Sequence, residues 1–405
     1  MMPEAGAVCM DECSAVLAQL ANQWQQSVGS ESRRIVLCGA GRVGEMTLDW
    51  CRAHGIEPRC FVDNAPKRWG QKIGGIPIHA VTAVVYENPD DVFIVTVQRG
   101  NDLAKQLRGL AAQRVVHYHT LFHLFADHEG AERLSALWAD QKSKNEYLAQ
   151  LRYRLDGETA TLPPYEPLEA LYFAPEYTSD ETVFDCGAYT GDTIEAWIER
   201  LGGFRQWIAY EPDPANYTAL CETVALLEDV HATSVILRPI AVGGTIGRRP
   251  FIALGEMPSR IGANGNRLVD CTTIDANPIS GSPPTVIKMD IEGAELEALQ
   301  GGRQTIEQAR PILAISAYHR PEDLWTIPTW IHELQAGYRL YLRRYGPRDT
   351  EMVVYGIPEG RAMLDGCYRT SSSVARSTGR SETKSSGSKP IIRRRTSAPV
   401  ASSIP

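Results

Sequence analysis

Short apolar runs recur along the chain, and many of them end in a glycine or an acidic residue. Runs of β-branched, aliphatic and aromatic residues without polar alternation are typical of strands buried on both faces of a parallel sheet. Segments with apolar positions at helical spacing separate these runs, which is the alternation that βαβ units produce. The pattern therefore predicts an α/β chain with two doubly wound, Rossmann-like domains.

The first half of the chain contains a glycine-rich turn between a strand and a helix. An apolar run at 34–38 leads into Gly39, Gly41 and Gly44, spaced as G-x-G-x-x-G, and a second strand ends at Asp63. Such a turn presents helix N–H groups to a phosphate, and an acid about twenty residues on can bind a ribose. We expect a nucleotide or nucleotide-sugar here; the alternatives are a unit that keeps the fold without a ligand or one that mediates assembly.

The second half contains a different turn, with Asp185, Gly187 and Gly191 spaced as D-x-G-x-x-x-G. Both glycines allow the backbone to turn tightly, but the carboxylate of Asp185 would repel a pyrophosphate. The turn therefore favours a cationic nucleoside without phosphate, for which S-adenosylmethionine is the obvious candidate. The residues expected to bind it at this turn are Asp185, Gly187, Ala188, Tyr189, Gly191, Asp192 and Thr193.

Two further apolar runs end in carboxylates, at Glu211 and at Asp290. The carboxyl ends of parallel strands lie at one edge of a sheet, so we expect these acids to surround one ligand site. A carboxylate at the tip of the second strand can accept two hydrogen bonds from a ribose diol, and the end of the third strand should lie near the adenine. The predicted cofactor residues are Glu211, Pro212 and Asp213 at the end of the second strand, and Ala241 and Val242 at the end of the third.

Several segments of the second half resemble the FkbM-type methyltransferases. The resemblance covers roughly residues 181–358, and its most specific part is the run IKMDIEGAE at 287–295. The other matching segments are 184–189, 317–323 and 341–345. The resemblance implies a class I methyltransferase sheet, closed by an antiparallel C-terminal hairpin, and S-adenosylmethionine-dependent O-methylation of a sugar, glycan or natural-product hydroxyl.

The chain departs from that family's pattern at two positions of the C-terminal hairpin. Arg344 stands where relatives have the histidine of an Arg-His-Tyr run, and Met352 stands where a threonine is common. If these positions touch the substrate in relatives, the acceptor here differs.

Methyl transfer to a hydroxyl needs a base within hydrogen-bond reach of that hydroxyl. Asp290 and His319 end neighbouring predicted strands, and His319 is preferred because its ordinary pKa of about 6.5 suits neutral pH. Asp290 remains an alternative base or acceptor ligand, and Glu292 is expected to reach the pocket. Adjacent aspartates of the kind used by metal-dependent methyltransferases are missing, so no metal is predicted.

Charge is distributed unevenly along the chain. The net charge is −8, but the segment from Arg361 onward carries +7 and the remainder −15. An acidic body argues against nucleic acid as the main partner. The expected partner is a small-molecule or glycan hydroxyl acceptor, and the sequence leaves a homo-oligomer open.

Composition predicts a cytoplasmic protein. Nine cysteines are scattered without metal spacing, which is typical of a reducing compartment. The start of the chain lacks a signal-peptide pattern, and no apolar run reaches the roughly eighteen residues of a membrane span. Histidines around His119 and His123 are expected to form a surface or interface cluster rather than a metal site.

The predicted organisation has five parts. They are an N-terminal helix (1–30), a Rossmann-like domain of nucleotide-binding type (31–125), a helical linker and cap (126–180), the FkbM-type domain (181–360) and a disordered basic tail (361–405). The aromatics of the cap are expected either to line the acceptor pocket or to serve in packing.

Two other functions compete with methyl transfer, and both rest on the glycine turn at 39–44. One is a nucleotide-sugar-binding or regulatory protein. The other is an NAD-dependent oxidoreductase, which is disfavoured because no Tyr-x-x-x-Lys proton-relay pair follows that turn.

Overall fold

Apolar segments of the chain form two parallel-rich sheets, joined by a helical segment. The computed structural model describes residues 34–97, 101–118, 134–156, 162–231, 234–252, 260–261, 265, 267–276, 283–334 and 336–364. All of these residues belong to one compact unit that ends at Tyr368. The predicted N-terminal helix, the histidines from His119 to His128 and the tail beyond Leu364 lie outside the described residues.

The first sheet follows the order β3-β4-β2-β1-β5-β6. Its strands are β1 (Ile35–Cys38), β2 (Cys60–Asp63), β3 (Lys72–Ile73), β4 (Ile76–Ala80), β5 (Val92–Val95) and β6 (Arg114–His117), with helices α1 (Arg42–Ala53), α2 (Val81–Glu87) and α3 (Asn101–Gly109). All pairs are parallel except β3 with β4. The glycine turn lies between β1 and α1, in the strand-turn-helix context that the sequence predicts.

The remaining elements complete the second half of the chain. In chain order they are α4 (Gln141–Asp156), β7 (Thr182–Cys186), α5 (Asp192–Leu201), β8 (Gln206–Tyr210), α6 (Pro214–His231), β9 (Val235–Arg238), β10 (Ala241–Val242), β11 (Gly247–Ile252), β12 (Arg260–Ile261), β13 (Arg267–Thr272), β14 (Val286–Met289), α7 (Glu295–Gln300), α8 (Arg303–Ala309), β15 (Ile312–Ser316), α9 (Asp323–Glu333), β16 (Arg339–Arg344) and β17 (Met352–Ile357).

The second sheet has seven strands in the order β16-β17-β15-β14-β7-β8-β9. Strand β17 runs antiparallel to both β15 and β16, whereas the other pairs are parallel. Its central strands are buried on both faces, as is typical of parallel strands in an α/β sheet. Every residue of β7, β14 and β15 is buried. The predicted fold class, including the antiparallel C-terminal hairpin, is confirmed.

The segment that follows β9 forms a small sheet of its own. Strands β10, β13, β11 and β12 pair in that order, with Ala241 opposite Cys271 and Val242 opposite Thr272. The insertion therefore lies outside the seven-stranded sheet, although its first strand directly follows that sheet's edge strand.

Helix α4 and the residues before it lie along the outer edge of the seven-stranded sheet. The Ala139 N–H donates to the Leu340 carbonyl at 2.8 Å, and the Leu342 N–H donates to Ser143 Oγ at 2.9 Å. The Arg344 guanidinium donates to Glu146 at 2.6 Å, so the arginine that departs from the family pattern binds this helix.

No helix within the described ranges combines the length and the apolar composition that a membrane crossing requires. The described cysteines, Cys38, Cys51, Cys60, Cys186, Cys221 and Cys271, carry free thiols.

Candidate active site

A cavity of about 320 Å³ opens at the carboxyl edge of the seven-stranded sheet. Residues of α5, α6, β14, the cap and the loops at this edge of the sheet line it: Leu168, Glu169, Leu171, Tyr172, Phe173, Gly187, Tyr189, Asp192, Thr193, Ala196, Glu211, Asn216, Lys288, Asp290, Glu292, Tyr318 and Glu351. Seven of the predicted site residues are among them. The tips of β8, β7 and β14 lie side by side here, so the strand order brings Glu211, Gly187 and Asp290 to one site.

The turn after β7 requires glycine at two positions. Gly187 has a φ of 81°, and a Cβ there would lie 1.9 Å from the Asp290 carbonyl oxygen. Gly191 has a φ of 93°, and a Cβ there would approach Thr223 to 2.9 Å. The turn thus packs closely on Asp290 and on α6, and the N–H groups of Gly187 and Ala188 donate to the Tyr210 carbonyl at 3.0 Å. Ala188 is buried within this turn and does not line the cavity.

Asp185 lies beneath the cavity instead of facing it. Its side chain is fully buried, and its Oδ1 lies 2.9 Å from Nζ of Lys288, the residue opposite it on β14. Burial acts to lower the pKa of Lys288, but the carboxylates of Asp185 and Asp290 raise it above its ordinary value, so Lys288 remains an ammonium. A buried carboxylate and a buried ammonium thus compensate each other.

Lys288 is a site residue that the sequence analysis missed. It lines the cavity and donates a hydrogen bond to the Gly187 carbonyl at 2.7 Å. The available signal was a lysine inside an otherwise apolar, fully buried strand, a position that needs a charged partner.

Glu211 accepts two backbone hydrogen bonds at the tip of β8. The Tyr189 N–H donates to its Oε2 at 3.0 Å, and the Asp213 N–H donates to its Oε1 at 2.8 Å. Burial raises the pKa of Glu211 to about 7, against the lowering effect of these hydrogen bonds. The carboxyl therefore titrates near neutral pH while it faces the cavity.

The residues next to Glu211 serve the following helix. Asp213 Oδ1 accepts the Ala215 N–H at 2.9 Å at the start of α6, as an N-cap does. Pro212 and Asp213 do not line the cavity, and neither do Ala241 and Val242, which are buried in the small sheet.

Asp290 faces the cavity from the tip of β14. The Tyr172 hydroxyl donates to its Oδ2 at 2.7 Å and lies 3.0 Å from Ser316 Oγ. Tyr172 belongs to the cap and adopts a φ of 67°. Tyr172 and Phe173, two aromatic residues of the cap, therefore line the cavity. This is one of the two roles that the sequence left open for them.

His319 lies behind Asp290, and its side chain is 4% exposed. Its Nε2 lies 3.3 Å from Asp290 Oδ1, and its Nδ1 lies 2.8 Å from Glu295 Oε1. Burial alone would lower the pKa of His319, but Glu295, followed by Asp290 and Glu292, raises it to about 10. The side chain is an imidazolium at neutral pH and is absent from the cavity lining.

Glu295 organises the turn that follows Asp290. Its two oxygens accept the Ile291 N–H at 2.8 Å and the Gly293 N–H at 2.9 Å, besides the contact with His319. Asp290, Glu295 and His319 offer donor atoms within 4.8 Å of one another, the spacing of a metal site. His319 and Glu295 share a hydrogen bond, and Asp290 Oδ1 lies 3.3 Å from His319 Nε2, so the imidazolium is placed between two carboxylates.

Glu292 connects the two sheets. It lines the cavity with a φ of 57°, and its Oε2 accepts a hydrogen bond from Arg42 at 3.3 Å. Arg42 is the first residue of α1 and belongs to the glycine turn of the first sheet. Burial raises the pKa of Glu292, while His319 and Arg42 act to lower it. Helix α1 thus contributes a charged side chain that contacts a lining residue of the second sheet's cavity.

In the first sheet, Asp63 binds its own glycine turn. Its carboxylate accepts the Ala40 N–H at 2.9 Å and the Ala65 N–H at 2.8 Å. A Cβ at Gly44 would lie 2.1 Å from the Gly39 carbonyl oxygen, and Gly39 has a φ of 118° with a Cβ position 2.6 Å from Val97, so both positions require glycine. Gly41 has open space around it.

A second cavity of about 440 Å³ adjoins this turn. It is open to solvent and is lined by Ala40, Glu45, Lys67, Arg68, Gln71, Ile73 and Ile78. Two basic side chains thus lie beside the N-terminus of α1, where anions are favoured.

The strand order and the cavity at the carboxyl edge define a Rossmann-like methyltransferase fold. Residues 185–348 match the family model described as the methyltransferase FkbM domain. The chain therefore carries an FkbM methyltransferase domain, and the resemblance seen in the sequence is confirmed.

Several solved structures are similar to this chain. A crystal structure of methyltransferase FkbM from Methylobacillus flagellatus KT matches with a TM-score of 0.54 and 23% identity, covering 87% of this chain and 98% of that chain. An rRNA methylase from Streptococcus thermophilus has a TM-score of 0.29 and 11% identity, covering 47% of this chain and 91% of that one. A precorrin-6y C5,15-methyltransferase from Geobacter metallireducens GS-15 has a TM-score of 0.29 and 12% identity, with 47% and 85% covered. No curated protein matches the chain significantly.

Proposed function

We propose that this protein is an S-adenosylmethionine-dependent O-methyltransferase that acts on a hydroxyl of a sugar, glycan or natural product. The observation that carries the proposal is a single cavity in which Glu211, Gly187 and Asp290 lie at adjacent strand tips. When bound, S-adenosylmethionine supplies a sulfonium methyl group that a hydroxyl oxygen can attack. The acid-rich lining fits a ligand with a positively charged sulfur.

Glu211 is the residue that we assign to the ribose. Both of its oxygens already accept backbone N–H groups, and carboxylate oxygens have further lone pairs for two hydroxyl donors. Gly187 and Tyr189 line the cavity next to it and leave room for the donor to lie against the backbone.

Asp290 is the residue that we assign as general base. The Tyr172 hydroxyl fixes one of its oxygens at 2.7 Å, and Asp290 itself lines the cavity. His319 is already protonated at neutral pH because its pKa is raised to about 10, so it cannot accept a second proton. We assign His319 to orienting Asp290 and balancing the surrounding carboxylates.

The test is methyl transfer from tritium-labelled S-adenosylmethionine to methyl α-D-glucopyranoside, UDP-glucose and quercetin, followed by identification of the methylated atom. We expect label on an acceptor oxygen with the wild-type protein and a strong loss with Glu211→Gln and with Asp290→Asn. Calorimetry with S-adenosylhomocysteine is run in parallel. Absence of binding would contradict the proposal, as would label found on nitrogen or carbon.

A nucleotide or nucleotide-sugar on the first sheet is a second candidate activity, favoured by the cavity that Lys67 and Arg68 line beside α1. Gly41 offers a clean probe because a Cβ there meets no atom within 4 Å. Gly41→Trp is expected to abolish UDP-glucose binding in calorimetry without changing S-adenosylhomocysteine binding. Equal UDP-glucose affinity in wild type and variant would contradict it.

A further inference from the structure

Acidic side chains outnumber basic ones in the lining of the methyl-transfer cavity. Its lining includes the carboxylates of Glu169, Asp192, Glu211, Asp290, Glu292 and Glu351. Among the described residues of that lining, Lys288 is the single cationic side chain. S-adenosylmethionine carries a sulfonium, an ammonium and a carboxylate. The acids suit the first two groups, so the carboxylate needs a cation.

Lys288 has hydrogen-bonding capacity left for such a ligand. An ammonium has three N–H donors. One donates to the Gly187 carbonyl at 2.7 Å, and Asp185 lies 2.9 Å from Nζ on the other side. The ring centroid of Tyr172, another lining residue, is 5.3 Å from Nζ. These contacts engage two of the three N–H groups, so one remains for a ligand in the cavity that Lys288 lines.

The order of the strand tips places Lys288 where the amino-acid end of the donor is expected. The tips run β8, β7, β14, and our proposed function assigns the ribose to Glu211 at the first of them. A donor that extends from there across Gly187 reaches β14, where Lys288 and Asp290 lie. Asp192 and Thr193, at the N-terminus of α5, line the same cavity. Helix N–H groups there also favour a carboxylate.

We propose that Lys288 binds the α-carboxylate of S-adenosylmethionine, in addition to compensating the buried Asp185. This inference rests on the proposed function. Lys288 suits the role because it is fixed by two neighbours, stays charged, and is 94% removed from water, where a charge-assisted hydrogen bond is strong.

The test compares S-adenosylmethionine with decarboxylated S-adenosylmethionine, which keeps the sulfonium and ammonium but lacks the carboxylate. Lys288→Met alone would leave Asp185 buried and unpaired, so the main variant is the double substitution Asp185→Asn with Lys288→Met. Calorimetry is expected to show at least a tenfold loss of affinity for S-adenosylmethionine and less than a threefold change for the decarboxylated compound. Lys72→Met, on the exposed edge strand of the first sheet, is the matched control and should change neither affinity.

The outcomes separate this inference from the proposed function. If the variant loses affinity for both compounds equally, Lys288 acts only through the fold and the inference is overturned. Unchanged affinity for S-adenosylmethionine overturns it as well. A wild-type protein that binds neither compound would contradict the proposed function itself.

Discussion

At the scale of single residues, the three acids at the strand tips have different surroundings and therefore different chemistry. Asp185 is paired with a lysine beneath the cavity, Glu211 accepts two backbone N–H groups, and Asp290 accepts a tyrosine hydroxyl. Their sequence context is nearly the same, since each follows or ends a buried strand. The neighbours that lie across the strands decide which of them can contact a ligand.

The titration of Glu211 gives a pH-dependent prediction. Burial raises its pKa from 4.5 to about 7, so the ionised fraction of Glu211 increases as the pH rises through 7. We expect the affinity for S-adenosylhomocysteine to increase about tenfold between pH 6 and pH 8. Glu211→Gln should remove this dependence, and Glu199→Gln, an exposed acid on α5, should retain it. A flat pH profile of the wild type would contradict the prediction.

The same shift has the opposite effect on folding stability. The folded chain binds the proton of Glu211 more tightly than the unfolded chain, so this residue's contribution to stability falls as the pH rises from 4.5 to about 7.

His319 gives a stability prediction of the same sign at higher pH. Its pKa is raised from 6.5 to about 10, so the stability that it contributes is fully present below pH 6.5 and is lost as the pH rises through 10. Urea unfolding of the wild type between pH 7 and pH 10 should show this loss. His319→Gln should flatten that part of the profile, whereas His54→Gln, an exposed histidine on the first sheet, should leave it unchanged.

The general base can be tested by comparing two substitutions. Asp290→Asn is expected to lower kcat by about 10²-fold or more, because proton removal is lost while binding contacts remain. His319→Gln should lower kcat less, and it should move the acid limb of the pH profile toward higher pH because the neighbouring carboxylates lose a cation. Initial rates with the labelled methyl donor provide the measurement. If His319→Gln alone abolishes activity in a folded protein, the assignment of the base is reversed.

The sequence was informative about which residues end the strands and less informative about what they contact. Asp185 and Lys288 are separated by about a hundred positions and become neighbours only through the register of β7 and β14. The same holds for Arg42 and Glu292, which belong to different sheets. Pairings of this kind depend on tertiary structure that no local pattern encodes.

At the scale of elements, local patterns sufficed for most of the fold. Apolar runs predicted the parallel strands, and the glycines marked turns that need positive φ or close packing. Ala241 and Val242 were predicted at the ligand end of the third strand and lie in β10, whose partner β13 is about thirty residues further on. Their expected place near the adenine stays a prediction. The pairing of β10 could not be predicted, because a two-residue strand has no pattern that identifies its partner.

Two glycines with nearly equal φ allow the effect of packing to be separated from backbone strain. Gly187 has a φ of 81° and would bring a Cβ within 1.9 Å of the Asp290 carbonyl oxygen, whereas Gly202 has a φ of 80° and open space. Gly202→Ala is expected to cost about 1–2 kcal/mol, the strain of a left-handed residue. Gly187→Ala should cost more than about 3 kcal/mol, because β7 and β14 must also separate. Equal destabilisation in urea unfolding would contradict the packing argument.

At the scale of the whole molecule, an ion pair between Arg42 and Glu292 links the two halves of the chain. The arginine side chain is 45% exposed, so its ion pair adds little to stability. It is, however, one of the two cations that act to lower the pKa of a carboxylate in the cavity. A residue beside the first sheet therefore affects the charge of the cavity without being part of the FkbM domain.

Arg42→Ala tests this connection. We expect the free energy of unfolding to change by less than about 1 kcal/mol. The acid limb of the methyl-transfer profile should move to higher pH, since Glu292 loses a neighbouring cation. Arg52→Ala is the matched control, because Arg52 lies on the same helix and binds Glu57 at 2.8 Å, away from the cavity. Identical pH profiles for both variants would contradict the connection.

The contacts along β16 determine how the chain can be shortened. This strand is the outermost one of its sheet, and its backbone is satisfied on that side by Ala139 and Ser143. A fragment that starts after α4 would expose unpaired N–H and C=O groups, together with Arg343 and Arg344 stripped of their carboxylate partners. Exposed strand edges recruit other strands. A recombinant catalytic fragment should therefore begin before residue 134, and one that begins at 162 should self-associate in sedimentation experiments.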